Sequence, residues 1–408
     1  MRESPYPMIS VDEALRRVMA NVAGLPVVTR RFDEALGWVL AEDVMAADPL
    51  PPFRASTVDG FAVVAADGAG ERELIGEQFA GYDAQLQLQP GQAARITTGA
   101  PVPNGADAVM MVEWSIEEAE RVRFTREVKS GDFIRPIGSD IAQGQTILKA
   151  GTQLGAPEIG LLATVGATSV SVHRRPVVGV MSTGDELVDP EQTPGPGQIR
   201  DSNRFSLIAC LREAGAEALD LGIAPDSREA LRDFMQAGVA RCDALLTSGG
   251  VSMGELDLVK PLLEELGTVH FGRVNTKPGK PVTFATLDGT PFFAMPGNPV
   301  SSLVSFEVFV RPALRKMSGL PQPKWHRPRV PAILAHKTRH TAARTEFQRA
   351  TIHFNPSARH FYANTTGSQQ SSRLLSMVGA NALIILPHGK ADFQAGEQVE
   401  AMIIGPLD

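Results

Sequence analysis

The chain contains 408 residues, of which 43% are hydrophobic and 21% charged, a globular composition that predicts about three domains rather than one core. Its net charge of −7 argues against a broad nucleic-acid surface, and no uninterrupted apolar run reaches the ~18 residues of a membrane span. We expect no signal peptide, because Glu3 offsets Arg2 and no apolar segment follows. The two cysteines, Cys210 and Cys242, form no C-x-x-C motif and suit a cytoplasmic protein, so a zinc site is not expected.

The first part of the chain predicts a helix followed by a small β domain. Ser10 and Glu13 form a capping box at the start of a helix with apolar residues at helical spacing. After a proline-rich segment, Asp59-Gly60 lies between apolar stretches and predicts a hairpin. Residues 61–137 contain short apolar runs broken by turn signals, which is typical of a β domain. From the pattern alone, Asp59 could be no more than a turn residue.

Strand and helix patterns alternate over residues 176–317, which predicts a doubly wound parallel sheet. In such sheets ligands bind beyond the carboxyl ends of the strands. From residue 321 to residue 408 prolines and short alternating runs return, which predicts a small all-β domain. The chain has neither a Walker A motif nor G-x-G-x-x-G, so it is neither an ordinary P-loop NTPase nor a standard dinucleotide binder.

The most informative stretch is residues 243–260, in which a short apolar strand feeds a glycine-rich loop and then a helix. Pro261 is tolerated there only in the first turn of that helix, so the helix should begin just before it. Glycines let backbone N–H groups approach an anion, and a helix N-terminus adds favourable partial charge. Asp257 adds a carboxylate to this predicted anion-binding loop. The combination predicts a phosphate or oxyanion handled with a metal ion or a general base.

The loop K-P-G-K-P at residues 277–281 predicts a second anion-binding feature. Pro278-Gly279 fits the centre of a type II turn that has Lys277 and Lys280 at its corners. Two ammonium groups held so close repel each other unless an anion lies between them. The alternative is a solvated surface turn whose lysines point apart, but the position after a buried strand favours the anion site.

Three carboxylates in the α/β region, Glu186, Asp226 and Asp257, follow predicted strands or precede predicted helices. Each could simply cap a helix or complement its dipole, and for Asp226 alone that interpretation is favoured. Together they could hold Mg²⁺, which takes one or two carboxylates plus substrate phosphates. Ser301, in the first turn of another helix, either caps that helix or faces an anion.

Six polar strings in one order resemble the MoeA family, the molybdopterin molybdenumtransferases that include the gephyrin E domain. The strings are S-T-V-D-G-F-A (56–62), T-G-A-P-V-P (98–103), S-T-G-D-E-L (182–187), T-S-G-G-V-S-M-G-E-L-D (247–257), K-P-G-K-P (277–281) and P-G-N-P-V-S (296–301). The resemblance covers nearly the whole chain. The central domain alone also resembles the MogA-type molybdopterin adenylyltransferases, which lack the flanking domains.

The resemblance implies an enzyme that inserts molybdate into adenylylated molybdopterin and releases AMP, with Mg²⁺ as cofactor. It implies a homodimer in which the β insertion of one subunit closes over the α/β cleft of the other, and transient contact with a MogA-type partner. It also implies four domains, for which the sequence predicts these boundaries: an elongated N-terminal domain at 1–50 and 138–175, a β insertion at 51–137, a MogA-like α/β domain at 176–320, and a β-barrel-like domain at 321–408.

The resemblance also implies roles for residues at matching motifs. The residues implied to be catalytic are Asp59, Asp140, Glu186, Asp226 and Asp257. The residues implied to bind substrate are Thr98, Gly249, Gly250, Ser252, Lys277, Lys280, Ser301, Arg344 and Ser371. Of these, Asp226 and Asp257 would hold the metal ion. Arg344 and Ser371 rest on the resemblance alone, because spacing would not single them out.

Two other functions remain open from the sequence. The first is the adenylyl transfer reaction itself, against which the flanking domains and the Asp59-Gly60 loop argue. The second is a non-enzymatic, gephyrin-like scaffold, which would leave all six motifs unexplained. Adenylylation of molybdopterin from ATP without a partner would favour the first, and tight receptor binding without cofactor chemistry the second.

Overall fold

The fold is described from a computed structural model, which describes residues 6–82, 84–251 and 258–407. The chain forms two compact units. The first consists of Met1–Val28, Gly37–Ala41 and Ser171–Asp408, and the second of Thr29–Leu36 and Glu42–Val170. None of the described helices is both long and apolar enough to cross a bilayer.

The helices and strands of the described residues are numbered in chain order. The helices are α1 (Val11–Ala20), α2 (Ala156–Thr164), α3 (Asn203–Glu213), α4 (Arg228–Val239), α5 (Val259–Leu266), α6 (Pro299–Ser305) and α7 (Arg311–Met317). A π-helical segment, Phe306–Val310, joins α6 to α7. The first strands are β1 (Val27–Arg31), β2 (Val44–Met45), β3 (Ala55–Ser56), β4 (Gly60–Val63), β5 (Gly70–Gln78), β6 (Gln92–Ile96), β7 (Ala108–Met111), β8 (Ser115–Glu118), β9 (Arg121–Phe124), β10 (Ile134–Arg135) and β11 (Thr146–Leu148). The remaining strands are β12 (Ser169–His173), β13 (Val177–Thr183), β14 (Leu187–Val188), β15 (Ile199–Arg200), β16 (Glu217–Ala224), β17 (Ala244–Ser248), β18 (Thr268–Phe271), β19 (Thr276–Lys277), β20 (Thr283–Leu287), β21 (Thr290–Met295), β22 (Arg329–Leu334), β23 (Thr345–Asn355), β24 (His360–Thr365), β25 (Ala382–Leu386) and β26 (Gln398–Ile403).

The second unit is built on a sheet of strand order β7-β4-β6-β5-β9-β8, as expected for a small β domain. Its core includes the Phe61 and Phe124 rings, whose centroids lie 5.7 Å apart in an edge-to-face arrangement. The predicted hairpin at Asp59-Gly60 is wrong, because β3 pairs with β10 and β4 pairs with β6 and β7. Gly60 is the first residue of β4 rather than a turn residue, and a Cβ atom there would lie 1.9 Å from the Met110 carbonyl oxygen.

The α/β part of the first unit contains a sheet of order β16-β13-β17-β21-β20-β18. Strands β16, β13, β17 and β21 are parallel, as predicted. Strand β20 is antiparallel to both of its neighbours, β21 and β18. The sequence signal for the reversal was Asp288-Gly289, whose φ angles of 48° and 81° suit a two-residue hairpin loop between β20 and β21. The prediction of an entirely parallel sheet is therefore wrong at this edge.

Helices cover both faces of this sheet, which explains why its central strand is apolar throughout. All residues of β17 are buried. Leu246 packs in the cluster that contains Leu207 of α3, whereas its neighbour Leu245 packs in the opposite cluster with Leu231 of α4. Helix α5 begins at Val259, which confirms that Pro261 lies in its first turn.

The C-terminal domain is a closed barrel, and residues 258–407, which include it, are all described. Strands β23, β24, β22, β26 and β25 pair in that order, and β25 pairs again with β23 to complete the circle. Closure leaves no open sheet edge on these strands. The short strand β19, from the α/β domain, pairs with β23 in parallel. The predicted C-terminal β-barrel is confirmed.

A buried ion cluster joins the helical segment after α6 to the start of the barrel domain. The Glu307 carboxylate accepts hydrogen bonds from Arg311 Nε at 2.6 Å and from Arg327 Nε at 2.8 Å. Burial alone would raise the pKa of the Glu307 carboxyl, but these two guanidinium groups outweigh burial and hold that pKa below its usual range. The ionised carboxylate therefore stabilises the fold at neutral pH.

We expect Glu307→Gln to lower the free energy of unfolding at pH 7 by about 3–5 kcal/mol, because it leaves buried guanidinium groups without their charge partner. The folded-state pKa is depressed, so this contribution is present above the unfolded pKa of about 4.3 and is lost as the pH falls through the lower folded value. Urea unfolding of both proteins between pH 7 and pH 3 measures this. A difference that stayed constant across that range would contradict the prediction.

Candidate functional site

A polar pocket of about 620 Å³ opens where loops of the α/β domain meet loops of the barrel. Three cationic residues line it, and hydroxyl and amide groups complete the wall. The predicted site residues in the lining are Lys277, Lys280, Ser301, Arg344 and Ser371. The structure therefore brings together five of the nine residues implied to bind substrate, including the two that spacing alone would not have singled out. Asn298, just before α6, also lines the pocket.

Strand pairing places Lys277 beside Arg344. In the parallel pair of β19 with β23, Thr276 lies opposite Thr345 and Lys277 lies opposite Glu346. Arg344 immediately precedes β23, and its Nη1 donates a hydrogen bond to the Thr276 carbonyl oxygen at 3.3 Å. Two cationic side chains from distant parts of the sequence therefore reach the same wall.

The K-P-G-K-P loop has a different turn from the one predicted. The Lys277-Pro278 peptide bond is cis, and the hydrogen-bonded turn runs from Gly279 to Val282, whose N–H donates to the Gly279 carbonyl oxygen at 3.1 Å. Lys280 therefore occupies the second position of this turn instead of the corner of a type II turn. Gly279 nevertheless has a φ of +99°, the left-handed region that a glycine was expected to supply.

The opposite wall comes from the start of α6 and from the loop at residues 369–372. Ser301 is only 4% exposed and lies in the first turn of α6. The N–H of Val300, in the same turn, donates to the Ser371 carbonyl oxygen at 3.1 Å, so the barrel loop is attached to the helix start. Asn298 takes the N-cap position but its side chain makes no capping hydrogen bond.

Carboxylates gather beyond the ends of the neighbouring strands β13 and β16. Asp226 accepts a hydrogen bond from the Thr183 hydroxyl, and its backbone N–H donates to Asp185 Oδ1 at 3.2 Å. Ser227, not Asp226, is the N-cap of α4, so capping does not account for Asp226. The Glu186 carboxylate folds over Gly184, within 2.5–2.8 Å of where a Cβ atom would lie. Asp185 was not singled out from the sequence.

The glycine loop after β17 connects these carboxylates to the pocket. A Cβ atom on Gly249 would lie 2.5 Å from the Thr183 carbonyl oxygen. A Cβ atom on Gly297 would lie 3.7 Å from the Gly249 Cα atom. The Asn203 side-chain amide donates to both the Ser248 hydroxyl and the Gly297 carbonyl oxygen at 2.7 Å. Since Asn298 lines the pocket, the acidic and the cationic groups share one edge of the sheet. Gly250 lies in the same loop, while Ser252 and Asp257 lie outside the described residues.

The described residues do not by themselves form a metal centre. No three His, Cys, Asp or Glu side chains in the described ranges are grouped so that they could hold a metal ion. Two neighbouring carboxylates, Asp226 and Asp185, are joined by the hydrogen bond from the Asp226 backbone N–H to Asp185 Oδ1.

Two of the predicted residues of the β unit, Asp59 and Thr98, are joined by hydrogen bonds. Asp59 Oδ1 accepts from the Thr98 backbone N–H at 2.7 Å and from its hydroxyl at 3.0 Å. These two hydrogen bonds hold the pKa of the exposed Asp59 carboxyl below its usual range. Asp140 is held by Arg135, whose Nη1 lies 3.4 Å from Asp140 Oδ2. The structure therefore joins Asp59 to Thr98, while Asp140 is paired with Arg135 instead; their roles in catalysis and substrate binding stay predictions.

Comparisons with known proteins agree with this architecture along the whole chain. Residues 9–166 match the model of the MoeA N-terminal region (domain I and II), residues 179–316 that of a probable molybdopterin binding domain, and residues 331–404 that of the MoeA C-terminal region (domain IV). The molybdopterin molybdenumtransferase of Haemophilus influenzae is 35% identical over 96% of this chain and 98% of that protein. This chain belongs to the MoeA family.

Other MoeA-family relatives support the same assignment. Gephyrin of Dictyostelium discoideum is 39% identical over 100% of this chain, which spans 64% of the length of that protein. A crystal structure of the molybdopterin biosynthesis MoeA protein of Pyrococcus horikosii superposes with a TM-score of 0.85 at 30% identity, covering 97% of this chain and 99% of that one. The MoeA fold predicted from the six sequence strings is thus confirmed.

Arg349 is a pocket-supporting residue that the sequence analysis missed. It lies on β23 with only 1% exposure, and its guanidinium donates to the carbonyl oxygens of Ser368, Gln369 and Gln370 and to the Ser376 hydroxyl at 3.1–3.3 Å. Burial lowers its pKa to about 10. The sequence offered no signal for Arg349 beyond an arginine within the predicted C-terminal β domain. Arg349 anchors the barrel loop that carries Ser371.

Proposed function

We propose that this protein is a molybdopterin molybdenumtransferase that inserts molybdate into adenylylated molybdopterin and releases AMP. The observation that carries the proposal is the pocket in which Lys277, Lys280 and Arg344 meet serine hydroxyls. Molybdate is a tetrahedral dianion, and ammonium, guanidinium and hydroxyl donors are the groups that bind such an oxyanion. Family membership supports the reaction type.

The size of the pocket supports a second substrate beside the oxyanion. At about 620 Å³ it falls within the roughly 300–1,000 Å³ of small-molecule sites and exceeds what one inorganic anion fills. The glycine loop and the Asp226 carboxylate lie along the same edge of the sheet. We infer that the organic substrate lies along this edge, with its metal-binding end in the cationic pocket and its diphosphate at the glycine loop.

Mg²⁺ is proposed as the cofactor of the diphosphate end. We propose Asp226 and Asp257 as its carboxylate ligands, in keeping with its preference for one or two carboxylates plus phosphate oxygens, while Asp185, which accepts a hydrogen bond from the Asp226 backbone, and Glu186 add negative charge nearby. When bound, such an ion would polarise the phosphoanhydride and offset charge on the departing AMP. In this scheme Thr183 orients the Asp226 carboxylate, while Lys277, Lys280 and Arg344 hold the molybdate oxygens in place.

The defining experiment is an assay with adenylylated molybdopterin, Mg²⁺ and molybdate, in which AMP and active cofactor are both measured. We expect AMP release to depend on molybdate and to accompany cofactor formation. AMP release at a rate independent of molybdate concentration would contradict the proposal. Adenylylation of molybdopterin from ATP without a partner would favour the adenylyltransferase instead.

We also propose a homodimer in the cytoplasm, with adenylylated molybdopterin supplied by transient contact with a MogA-type enzyme. A reducing compartment is supported by Cys210 and Cys242, which are both free thiols. The dimer is supported by the Asp59–Thr98 pair, in which hydrogen bonds hold an exposed carboxylate in one orientation on the β unit. We infer that this group completes the active site of the other subunit.

Shared active sites predict complementation between two inactive variants. Asp59→Asn and the double variant Lys277→Ala/Lys280→Ala should each be inactive, but subunits mixed one to one should regain roughly a quarter of wild-type AMP release, because half of the dimers are mixed and each has one intact site. The mixture is made by unfolding and refolding both variants together. No recovery, with dimers confirmed by light scattering, would show that each subunit supplies its own complete site.

A further inference from the structure

A buried carboxylate lies directly behind the cationic pocket. Glu346 is 2% exposed, and its Oε1 lies 2.9 Å from the Lys277 ammonium nitrogen. Lys277 itself is 38% exposed, so it bridges the interior of the barrel and the pocket. Glu346 was not among the site residues predicted from the sequence.

The second oxygen of Glu346 is also occupied. His340 Nδ1 lies 3.0 Å from Glu346 Oε2, and His340 Nε2 lies 3.2 Å from the Pro387 carbonyl oxygen. A carbonyl oxygen can only accept, so Nε2 carries the proton that faces Pro387, and Nδ1 is the ring nitrogen that faces Glu346. One carboxyl oxygen of Glu346 therefore contacts Lys277 and the other contacts His340.

Strand pairing makes this arrangement rigid. The backbone of Glu346 pairs with Lys277 on β19 and with Leu386 on β25, so strands on both sides hold it. His340 is 6% exposed and its backbone N–H donates to Asp392 Oδ1 at 3.1 Å. The carboxylate consequently has little freedom to move, and it restrains the flexible four-carbon side chain of Lys277.

We propose that Glu346 is a positioning residue for the oxyanion site, which it serves by holding the Lys277 ammonium at the pocket wall, with His340 fixing the carboxylate. Preorganisation of this kind reduces the side-chain entropy lost when the anion binds. Glu346 does not line the pocket, so its effect on substrate passes through Lys277. The inference rests on the proposed molybdate function of that site.

Two substitutions separate positioning from simple structural support. Glu346→Gln keeps the shape, and its amide can accept from Lys277 while donating to a neutral His340 whose Nε2–H still faces Pro387. Glu346→Ala removes the partner of Lys277 altogether. We expect the apparent KM for molybdate to rise by about 10-fold or more in Glu346→Ala and to stay within about 3-fold of wild type in Glu346→Gln, with kcat changed by less than about 2-fold in both.

A double-mutant cycle, in which Glu346→Ala is introduced into Lys277→Ala, tests the proposal directly. There, Glu346→Ala should cause no further loss of molybdate binding, measured by titration calorimetry with molybdate alone, because the residue that it positions is gone. An equal loss in both backgrounds, or Glu346→Ala binding molybdate as tightly as wild type, would overturn the proposal. So would a Glu346→Gln protein that is folded but as impaired as Glu346→Ala.

A labelling measurement distinguishes failure of this inference from failure of the proposed function. Acetic anhydride should acylate Lys277 several-fold faster in Glu346→Ala than in wild type, with Lys280 as the internal reference, because the ammonium is no longer held against a carboxylate. Unchanged Lys277 labelling overturns the positioning role. Faster labelling in a protein that shows no molybdate dependence would confirm that Glu346 holds Lys277 and reject the proposed function instead.

Discussion

Replacing Lys277 and Lys280 together by alanine is expected to abolish molybdate-dependent AMP release. Each ammonium contributes charge-assisted contacts worth about 1.5–3 kcal/mol to a bound oxyanion, so each single variant should lose about 10- to 100-fold in kcat/KM for molybdate. The double variant should lose about 100- to 10,000-fold if the two contributions add. The rate of AMP release at varied molybdate concentration measures both effects.

The two lysines should differ in a second measurement. Lys277→Ala leaves Glu346 buried without its ion-pair partner, so it should also lower the denaturation midpoint, whereas Lys280→Ala should leave that midpoint nearly unchanged. Lys324→Ala, at an exposed lysine that is not part of the pocket lining, is the matched control and should retain full activity. Molybdate-dependent release that survives in the double variant would remove both lysines from the site.

Gly279→Ala is expected to be nearly as damaging, although it changes no charge. Gly279 has a φ of +99°, which costs a residue with a side chain about 1–2 kcal/mol. The added Cβ atom would also lie 2.6 Å from the Ser305 hydroxyl oxygen, in a helix where Ser305 is 1% exposed. The loop must shift to relieve this contact, and both pocket lysines flank it. We expect at least a 10-fold loss of kcat/KM for molybdate, because small displacements of binding groups are costly.

Gly289→Ala is the matched control for this substitution. Gly289 also has a positive φ, +81°, but no atom lies within 4 Å of where its Cβ would be. It should therefore show a similar backbone cost in urea unfolding while keeping molybdate-dependent activity. A second test is Ser305→Gly combined with Gly279→Ala, which should recover part of the activity by removing the contact. If Gly279→Ala and Gly289→Ala behave alike in both assays, the close approach to Ser305 does not control the pocket.

The Arg349 anchor shows why the barrel and the α/β domain act together at this site. Arg349 holds the carbonyl groups of the barrel loop, and the same loop is attached to α6 through the hydrogen bond between Val300 and Ser371. The cationic side is tied in the same way through the pairing of β19 with β23. Each wall of the pocket thus depends on contacts between the two domains.

The sequence by itself determined the chemistry of the loops and the order of the domains. Alternating strand and helix patterns predicted the α/β sheet, and the rule that parallel strands end at one edge was enough to expect Asp226, Gly249 and Lys277 near one another. These are local signals, because periodicity, turn residues and glycine loops are read within short windows. The six family motifs could be recognised for the same reason.

Only the tertiary structure decided which residues share the pocket wall and which support it. Strand register and barrel closure pair residues that are far apart in the chain. These pairings bring four residues to the pocket or behind it: Arg344, Ser371, Glu346 and Arg349. Long-range strand pairing also decided the antiparallel direction of β20. It likewise placed Gly60 in strand β4, which pairs with β6 and β7, although the local Asp59-Gly60 signal favoured a hairpin turn. Long-range pairing is a property of the folded chain as a whole, and no short window of sequence contains it.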